Sequence, residues 1–187
     1  MEADIVSWEG KTPLHNIAYS VKDMIIVDYF LTKGVNINQM DKEGNTAFLN
    51  AARGNNIAMV EKLLPLVKDI SQKNHEGTTA LHHAVRRNST TLFDLLVKKG
   101  ADIAVVDSKG NNLMYHIFKA YSSRNKDAFH QFLSAAKAQN LAANKAFEAG
   151  HTLAHVAVDK NAKLLLEKAI ELGANINQKN SDGLTPL

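Results

Sequence analysis

The sequence predicts an all-α solenoid: a linear array of helix–turn–helix units, with about five full repeats and the start of a sixth. Three observations lead there. A glycine-led block recurs as Gly10-Lys11-Thr12-Pro13-Leu14-His15, Gly44-Asn45-Thr46-Ala47-Phe48-Leu49, Gly77-Thr78-Thr79-Ala80-Leu81-His82, Gly110-Asn111-Asn112-Leu113-Met114-Tyr115 and Gly150-His151-Thr152-Leu153-Ala154-His155, and begins again at Gly183-Leu184-Thr185-Pro186-Leu187. The intervals between these glycines are 34, 33, 33, 40 and 33 residues. A second half follows in phase, with helical runs that end at Gly34-Val35-Asn36, Gly100-Ala101-Asp102 and Gly173-Ala174-Asn175. A fixed period of this length marks one supersecondary unit stacked on copies of itself, not a fold around one central core.

Each element has a local reason. Thr12 stands where an N-cap hydroxyl satisfies a free N–H of the first turn, and Pro13 at the first helical position wastes no donor. Leu14, Ile17 and Ala18 share one helical face. Ala18, Ala51, Ala52, Ala84 and Ala157 are small enough to let neighbouring helices approach. Gly34, Gly100 and Gly173 follow helical runs and read as left-handed C′ residues. The block-opening glycines lie in tight turns that need positive φ. Short apolar residues in the return loops, such as Ile37 and Ile103, are expected to pack beneath them.

Taken together the blocks resemble the ankyrin repeat, in which a turn leads to a helix opening on Thr-Pro-Leu-His, then a second helix ending in Gly-Ala-Asp/Asn, then a return loop. The likeness covers essentially the whole chain. It implies a single domain over 1–187, with units near 7–40, 41–73, 74–106, 107–146 and 147–179 and a partial one at 180–187. Two units depart from the pattern. In the second, Pro65 should end or kink the second helix near Leu64. In the fourth, Asn112 and Leu113 replace Thr-Pro and the interval grows by seven residues. About four of these are expected within Tyr121–Lys126, between the helices, and three in the Ala-rich run after Leu133, with longer or shifted helices as the result. Because the last block stops three residues into a helix-opening motif, the chain is expected to be a fragment of a longer protein.

Composition narrows the function. The 187 residues include no cysteine, so there is no disulfide framework, thiol nucleophile or cysteine-bound metal. Twenty-two basic side chains against 19 acidic ones give a net charge of +3, too balanced to argue for nucleic acid. No run of 18 apolar residues indicates a membrane span, and the acidic start is no signal peptide. The compartment stays open, with the cytoplasm favoured. His151 and His155 are spaced i, i+4, which could suit one metal ion, but no third ligand accompanies them. His155 also shares the slot of His15 and His82, which the resemblance makes structural: the ring bonds the Thr of its own motif and nearby backbone. No nucleophile elbow, phosphate loop or dinucleotide motif is present. No catalytic activity, cofactor or metal is therefore expected.

What remains is a recognition surface. Stacking fixes a few slots in every unit and frees the others. The resemblance implies that the free slots facing a partner lie on turn tips and on the exposed side of the first helix, along a concave face. The turn slots hold Trp8, Glu9 and Lys11; Lys42, Glu43 and Asn45; His75, Glu76 and Thr78; Ser108, Lys109 and Asn111; and Glu148 and His151. The helix slots hold Tyr19 and Ser20, Arg53, Arg86 and Arg87, Lys119, and Asp159 and Lys160. Arg53, Arg86, Arg87, Lys119 and Lys160 form a basic row at nearly the repeat spacing, with Trp8 and Tyr19 at one end. Arg, Trp and Tyr are the residue types that dominate interface energetics. The alternative is a solvated face neutralised by Glu43, Glu76 and Asp159. The expectation is a monomeric protein-interaction scaffold whose protein partner presents acidic groups, without nucleic acid or membrane. The other reading is a regulatory or structural arm of a larger protein whose activity lies outside this chain.

Overall fold

A computed structural model describes residues 6–20, 22–138, 141 and 146–187. Ten α-helices form five consecutive pairs among them: α1 (Pro13–Ile17) and α2 (Met24–Thr32), α3 (Ala47–Gly54) and α4 (Ile57–Leu63), α5 (Ala80–Arg86) and α6 (Thr90–Lys98), α7 (Leu113–Ala120) and α8 (Lys126–Ala138), and α9 (Leu153–Asp159) and α10 (Lys163–Glu171). The described residues contain no strand, only an isolated bridge between Val106 and Asn112. The chain divides into two compact units, Met1–Asp102 and Ile103–Leu187. In the first, α1 packs on α3 and α3 on α5; in the second, α7 packs on α9.

The helix starts follow the sequence logic. Thr12, Thr79 and Thr152 each form a capping box with the histidine three residues on. Thr46 and Asn112 cap with their side chains, at Leu49 and Tyr115. Gly34, Gly100 and Gly173 take φ of +78°, +88° and +82° directly after their helices, in the left-handed region that favours glycine. At the turn, Gly44 has a second reason to lack a side chain: a Cβ there would stand 2.8 Å from the backbone nitrogen of His75 in the next repeat. The alanines expected at helix contacts are all buried, and Leu14, Leu49, Leu81 and Leu153 sit between the layers with Phe48, Phe93, Phe118 and Phe132.

The two irregular units behave differently from each other. In the second, α4 stops at Leu63 and a single 3-10 turn over Leu64–Leu66 carries Pro65, as a proline inside a helical run requires. In the fourth, lengthening occurs as expected, but the split of the seven extra residues is reversed. Ten positions separate the residue before the first helix from the residue before the second in the second, third and fifth pairs (Thr46 to Asn56, Thr79 to Ser89, Thr152 to Ala162), against 13 from Asn112 to Asn125. Three extra residues therefore lie between the helices, not four. The other four match the excess of α8, which has 13 residues where α6 and α10 have nine. Four residues are close to one α-helical turn. The extension thus keeps Phe129, Phe132, Leu133 and Ala136 buried along one face. Much of the Ala-rich run expected to hold the remainder (139, 140 and 142–145) lies outside the described residues.

Candidate functional site

The turn tips are built by one short polar residue placed three positions before the glycine. The Asp41 Oδ1 accepts the backbone N–H of Glu43 at 3.0 Å and of Asn45 at 2.8 Å. Asn74, Asp107 and Asn180 hold the corresponding turns in the same way. Such side-chain-to-backbone bonds replace secondary-structure partners in a tight turn. They fix where Lys42, His75 and Lys109 stand. Adjacent tips are tied by backbone: Lys42 N–H donates to Glu9 O at 2.9 Å, and His75 N–H to Glu43 O at 3.0 Å.

Behind the tips, the motif histidines lock layer to layer. Thr12 N–H donates to His15 Nδ1 at 3.0 Å, which leaves Nε2 as the protonated nitrogen, and that N–H reaches Asn45 O at 3.0 Å in the next unit. His155 repeats the arrangement between Thr152 N–H and Leu184 O, each at 3.1 Å. His82 Nδ1 accepts from Thr79 N–H at 3.1 Å. His155 is therefore engaged by protein groups on both nitrogens. Its neighbour His151 meets it edge to face, with ring centroids 5.2 Å apart. Among the described residues no group of three or more potential metal ligands is gathered.

Three turn slots do not face outward. Asn45, Thr78 and Asn111 are buried. Asn45 accepts from His15 through its carbonyl and from Asn74 Nδ2 through its side chain at 2.9 Å, and Asn111 Oδ1 accepts from Glu148 N–H at 2.9 Å. Asn45 and Asn111 therefore spend polar atoms on the next unit, while the Thr78 hydroxyl is buried without a hydrogen-bond partner among the described residues.

The ten residues expected to bind a partner fall into different environments. In the first unit the Trp8 ring is 79% exposed and carries Lys42 Nζ 4.5 Å from its centroid, while the Arg53 guanidinium lies 5.7 Å from the centroid of Tyr19. Lys42, Arg53, His75, Arg86 and Arg87 line one cleft of about 730 Å³, with Glu43, Glu76, Asn45, Asn74 and His83 completing the wall. Arg53 sits in the last turn of α3, Arg86 in that of α5, and Arg87 caps α5. Arg87 Nε donates to Arg53 O at 2.7 Å, which draws the two repeats together. Among the described residues no carboxylate reaches Lys42, Arg53, Arg86 or Arg87 within salt-bridge distance; Glu43 accepts instead from Asn45 Nδ2 at 3.0 Å.

In the second unit the lysines are engaged internally. Lys109 Nζ lies 2.7 Å from Glu148 Oε1, a hydrogen bond that raises its pKa. Lys160 Nζ donates to Tyr121 O at 3.1 Å, at the end of α7. Lys119 lies over the Tyr115 ring, 5.7 Å from its centroid.

Two features escaped sequence reasoning. His83 belongs to the cleft, at i−3 from Arg86 and i−4 from Arg87 on α5, a spacing that was readable as one helical face. It is 7% exposed, and its Nε2 makes no hydrogen bond among the described residues. Burial, with Arg86, Arg53 and Arg87 nearby, lowers its pKa to about 3. In the fourth repeat Tyr115 takes the motif-histidine slot and packs on Phe147 at 5.1 Å, while His116 Nε2 meets the buried Asp107 carboxylate at 2.9 Å. Burial alone would raise the Asp107 pKa; the Asn111 side-chain and backbone N–H groups and the His116 ring outweigh it and hold the carboxyl below its ordinary value.

No curated protein matches the sequence. Solved structures do. A chain in the structure of the Bd0816 predatory endopeptidase from Bdellovibrio bacteriovorus in complex with immunity protein Bd3460 is 25% identical, with a TM-score of 0.75 over 95% of this chain and 89% of that one. The ankyrin repeat domain of Bcl-3, of the IkappaB protein family, is 26% identical, also with a TM-score of 0.75, over 99% of this chain and 80% of that one. The family model for ankyrin repeats, in three copies, matches residues 14–107, half of the chain. The stacked helix pairs, the Thr–His capping boxes and the positive-φ glycines agree with it, and the chain belongs to the ankyrin repeat family, whose fold is a protein–protein interaction module.

Proposed function

We propose that this chain is a non-catalytic scaffold that binds a protein partner through the turn tips and first-helix face of its first unit, with the basic cleft as the centre of contact. One observation carries the reading: four cations from two adjacent repeats face a shared cleft, and none has an ion-pair partner among the described residues. Cations that only decorate a surface are indifferent to one another, whereas these are held in place, Arg87 by the Arg53 carbonyl and Lys42 and Arg53 over aromatic rings. The partner surface complementary to them is acidic. Arg forks suit planar carboxylates, and complementary charge speeds encounter and sets register. The endopeptidase–immunity protein assembly, itself a complex of two proteins, supports interaction as the working mode of this fold. Trp8 and Tyr19 extend the contact as aromatic anchors. Lys109, Lys119 and Lys160 contribute less, because each already serves an internal group.

The test is affinity capture with the parent chain and the triple variant Arg53→Glu, Arg86→Glu, Arg87→Glu in parallel, followed by titration of each captured protein. A partner held by the parent and lost by a folded triple variant supports the reading. Equal affinities move the interface to the turn tips or the second unit and overturn the cleft. Specific capture of nothing but further segments of this protein's own polypeptide favours a regulatory arm instead.

A further inference from the structure

We propose that the cleft of the first unit is an oxyanion site for a phosphoryl group carried on the protein partner, with Arg53, Arg86 and Arg87 as its cationic groups and His83 as a hydrogen-bonding group in its wall. The proposal rests on the reading that a protein docks here, and goes beyond it in naming the chemical group recognised.

Charge is the first argument. Lys42, Arg53, Arg86 and Arg87 stand against Glu43 and Glu76, a surplus of two positive charges in one cleft. A phosphorylated serine, threonine or tyrosine carries about −1.5 to −2 at neutral pH and matches that surplus, whereas a single carboxylate leaves one cation over.

Donor count is the second. Among the described residues the Arg53 and Arg86 side chains make no hydrogen bond or ion pair, and Arg87 uses only its Nε, on the Arg53 carbonyl. Each guanidinium presents parallel N–H groups, the geometry that recognises phosphate oxygens in pairs. Three such forks exceed what one carboxylate can accept and suit the three terminal oxygens of a phosphoryl group.

His83 is the third and most specific. A buried polar nitrogen without a partner is costly and uncommon in folded proteins. The attraction of arginines to helix ends explains Arg53 and Arg86 in the last turns of α3 and α5. It does not explain an imidazole with an unbonded Nε2 beside them on the cleft wall. Burial and the surrounding guanidinium groups keep that ring neutral, so it adds no charge to the surplus. In the Nε2-protonated tautomer it carries one N–H that no group among the described residues accepts.

The experiment follows the histidine side chains of the full chain by two-dimensional proton–nitrogen spectra, at about pH 7.5, where the phosphoryl group is mostly dianionic. Three blocked tripeptides serve as probes: glycine–phosphoserine–glycine, glycine–glutamate–glycine and glycine–serine–glycine. The expected result is saturable movement of the His83 resonances by the phosphoserine probe, with the glutamate probe about tenfold weaker or more and the serine probe silent. Arg86→Ala and His83→Gln should each weaken the phosphoserine response; should the buried substitution unfold the chain, Arg86→Ala, on an exposed side chain, decides alone. Equal binding of glutamate overturns the proposal in favour of a carboxylate site. So does movement spread evenly over His75, His130 and His151, or no His83 response up to about 10 mM probe. If the probes fail while the triple arginine reversal still abolishes protein capture, the phosphoryl inference falls and the scaffold reading stands; if both fail, both fall.

Discussion

A motif histidine in this chain is a two-ended hydrogen-bonding link, and the bond at one nitrogen dictates the other. Because Thr12 N–H occupies Nδ1 of His15, Nε2 must carry the proton and can reach the Asn45 carbonyl. Replacing His15 by Ala leaves the buried Thr12 N–H without a partner and takes one of two donors from the Asn45 carbonyl, which keeps the Asp41 N–H at 2.9 Å; it should cost about 1–3 kcal/mol in urea denaturation. A loss under about 0.5 kcal/mol would mean that the link carries no stability. His83 makes a different prediction. Its native pKa is about 3 against an ordinary 6.5, so between those values the unfolded chain binds a proton that the native chain refuses. Stability therefore falls as pH drops below about 6.5, by at most about 1.4 kcal/mol per pH unit from this residue. His15, whose pKa burial also lowers, acts with the same sign. The His83→Gln variant should show a shallower decline of urea midpoint from about pH 7 to pH 5 than the parent. Parallel declines would show that His83 is protonated in the native state.

At the scale of elements, the helix ends are where backbone conformation and neighbours can be separated. Gly100 has φ of +88° with nothing within 4 Å of where a Cβ would stand, so the Gly100→Val variant meets only a conformational penalty, about 1–3 kcal/mol. Gly44 combines φ of +79° with a clash against the His75 backbone, so Gly44→Ala has both a conformational and a packing cost and displaces the next turn tip. Thermal midpoints should fall for both, and only Gly44→Ala should disturb the His75 amide resonance. An unchanged midpoint for Gly100→Val would contradict the left-handed C-cap. The link between α7 and α8 is held mainly by Asn125, whose Oδ1 accepts Ser122 N–H at 2.7 Å and whose Nδ2 donates to Ala120 O at 2.9 Å, all near the surface. Local bonds of this kind open without disturbing the packed helices. Ser122 and Ser123 should therefore exchange their amide protons faster than Leu95 and Leu96 within α6, and equal rates would contradict the assignment of an inserted loop.

At the scale of the whole molecule, stability in a repeat array is a sum over units and their contacts, so protection from exchange should vary along the chain and not follow one global opening. Residues after Gly183, where Leu184 and Leu187 are exposed beyond the last turn, should exchange fastest. Uniform protection from Leu14 to Leu187 would mean a single cooperative unit. The sequence by itself determined the repeat, the helix pairs, the glycine conformations and the break at Pro65, because each depends on bonds or clashes within a few residues of chain. It also marked Arg53, Arg86, Arg87, Lys42 and His75, because a shared phase puts equal slots side by side. Only the tertiary structure decided which cations remain available. Lys109 and Lys160 meet their partners across 39 residues of sequence, and those partners depend on how far a side chain reaches into the neighbouring repeat. The same holds for Asn45, Thr78 and Asn111, which look like surface residues in a polar turn until the next layer covers them. His83 is the sharpest case: its helical spacing was visible, but burial of Nε2 without a hydrogen bond among the described residues is a property of the packed layers, with Arg53 reaching it from the preceding repeat.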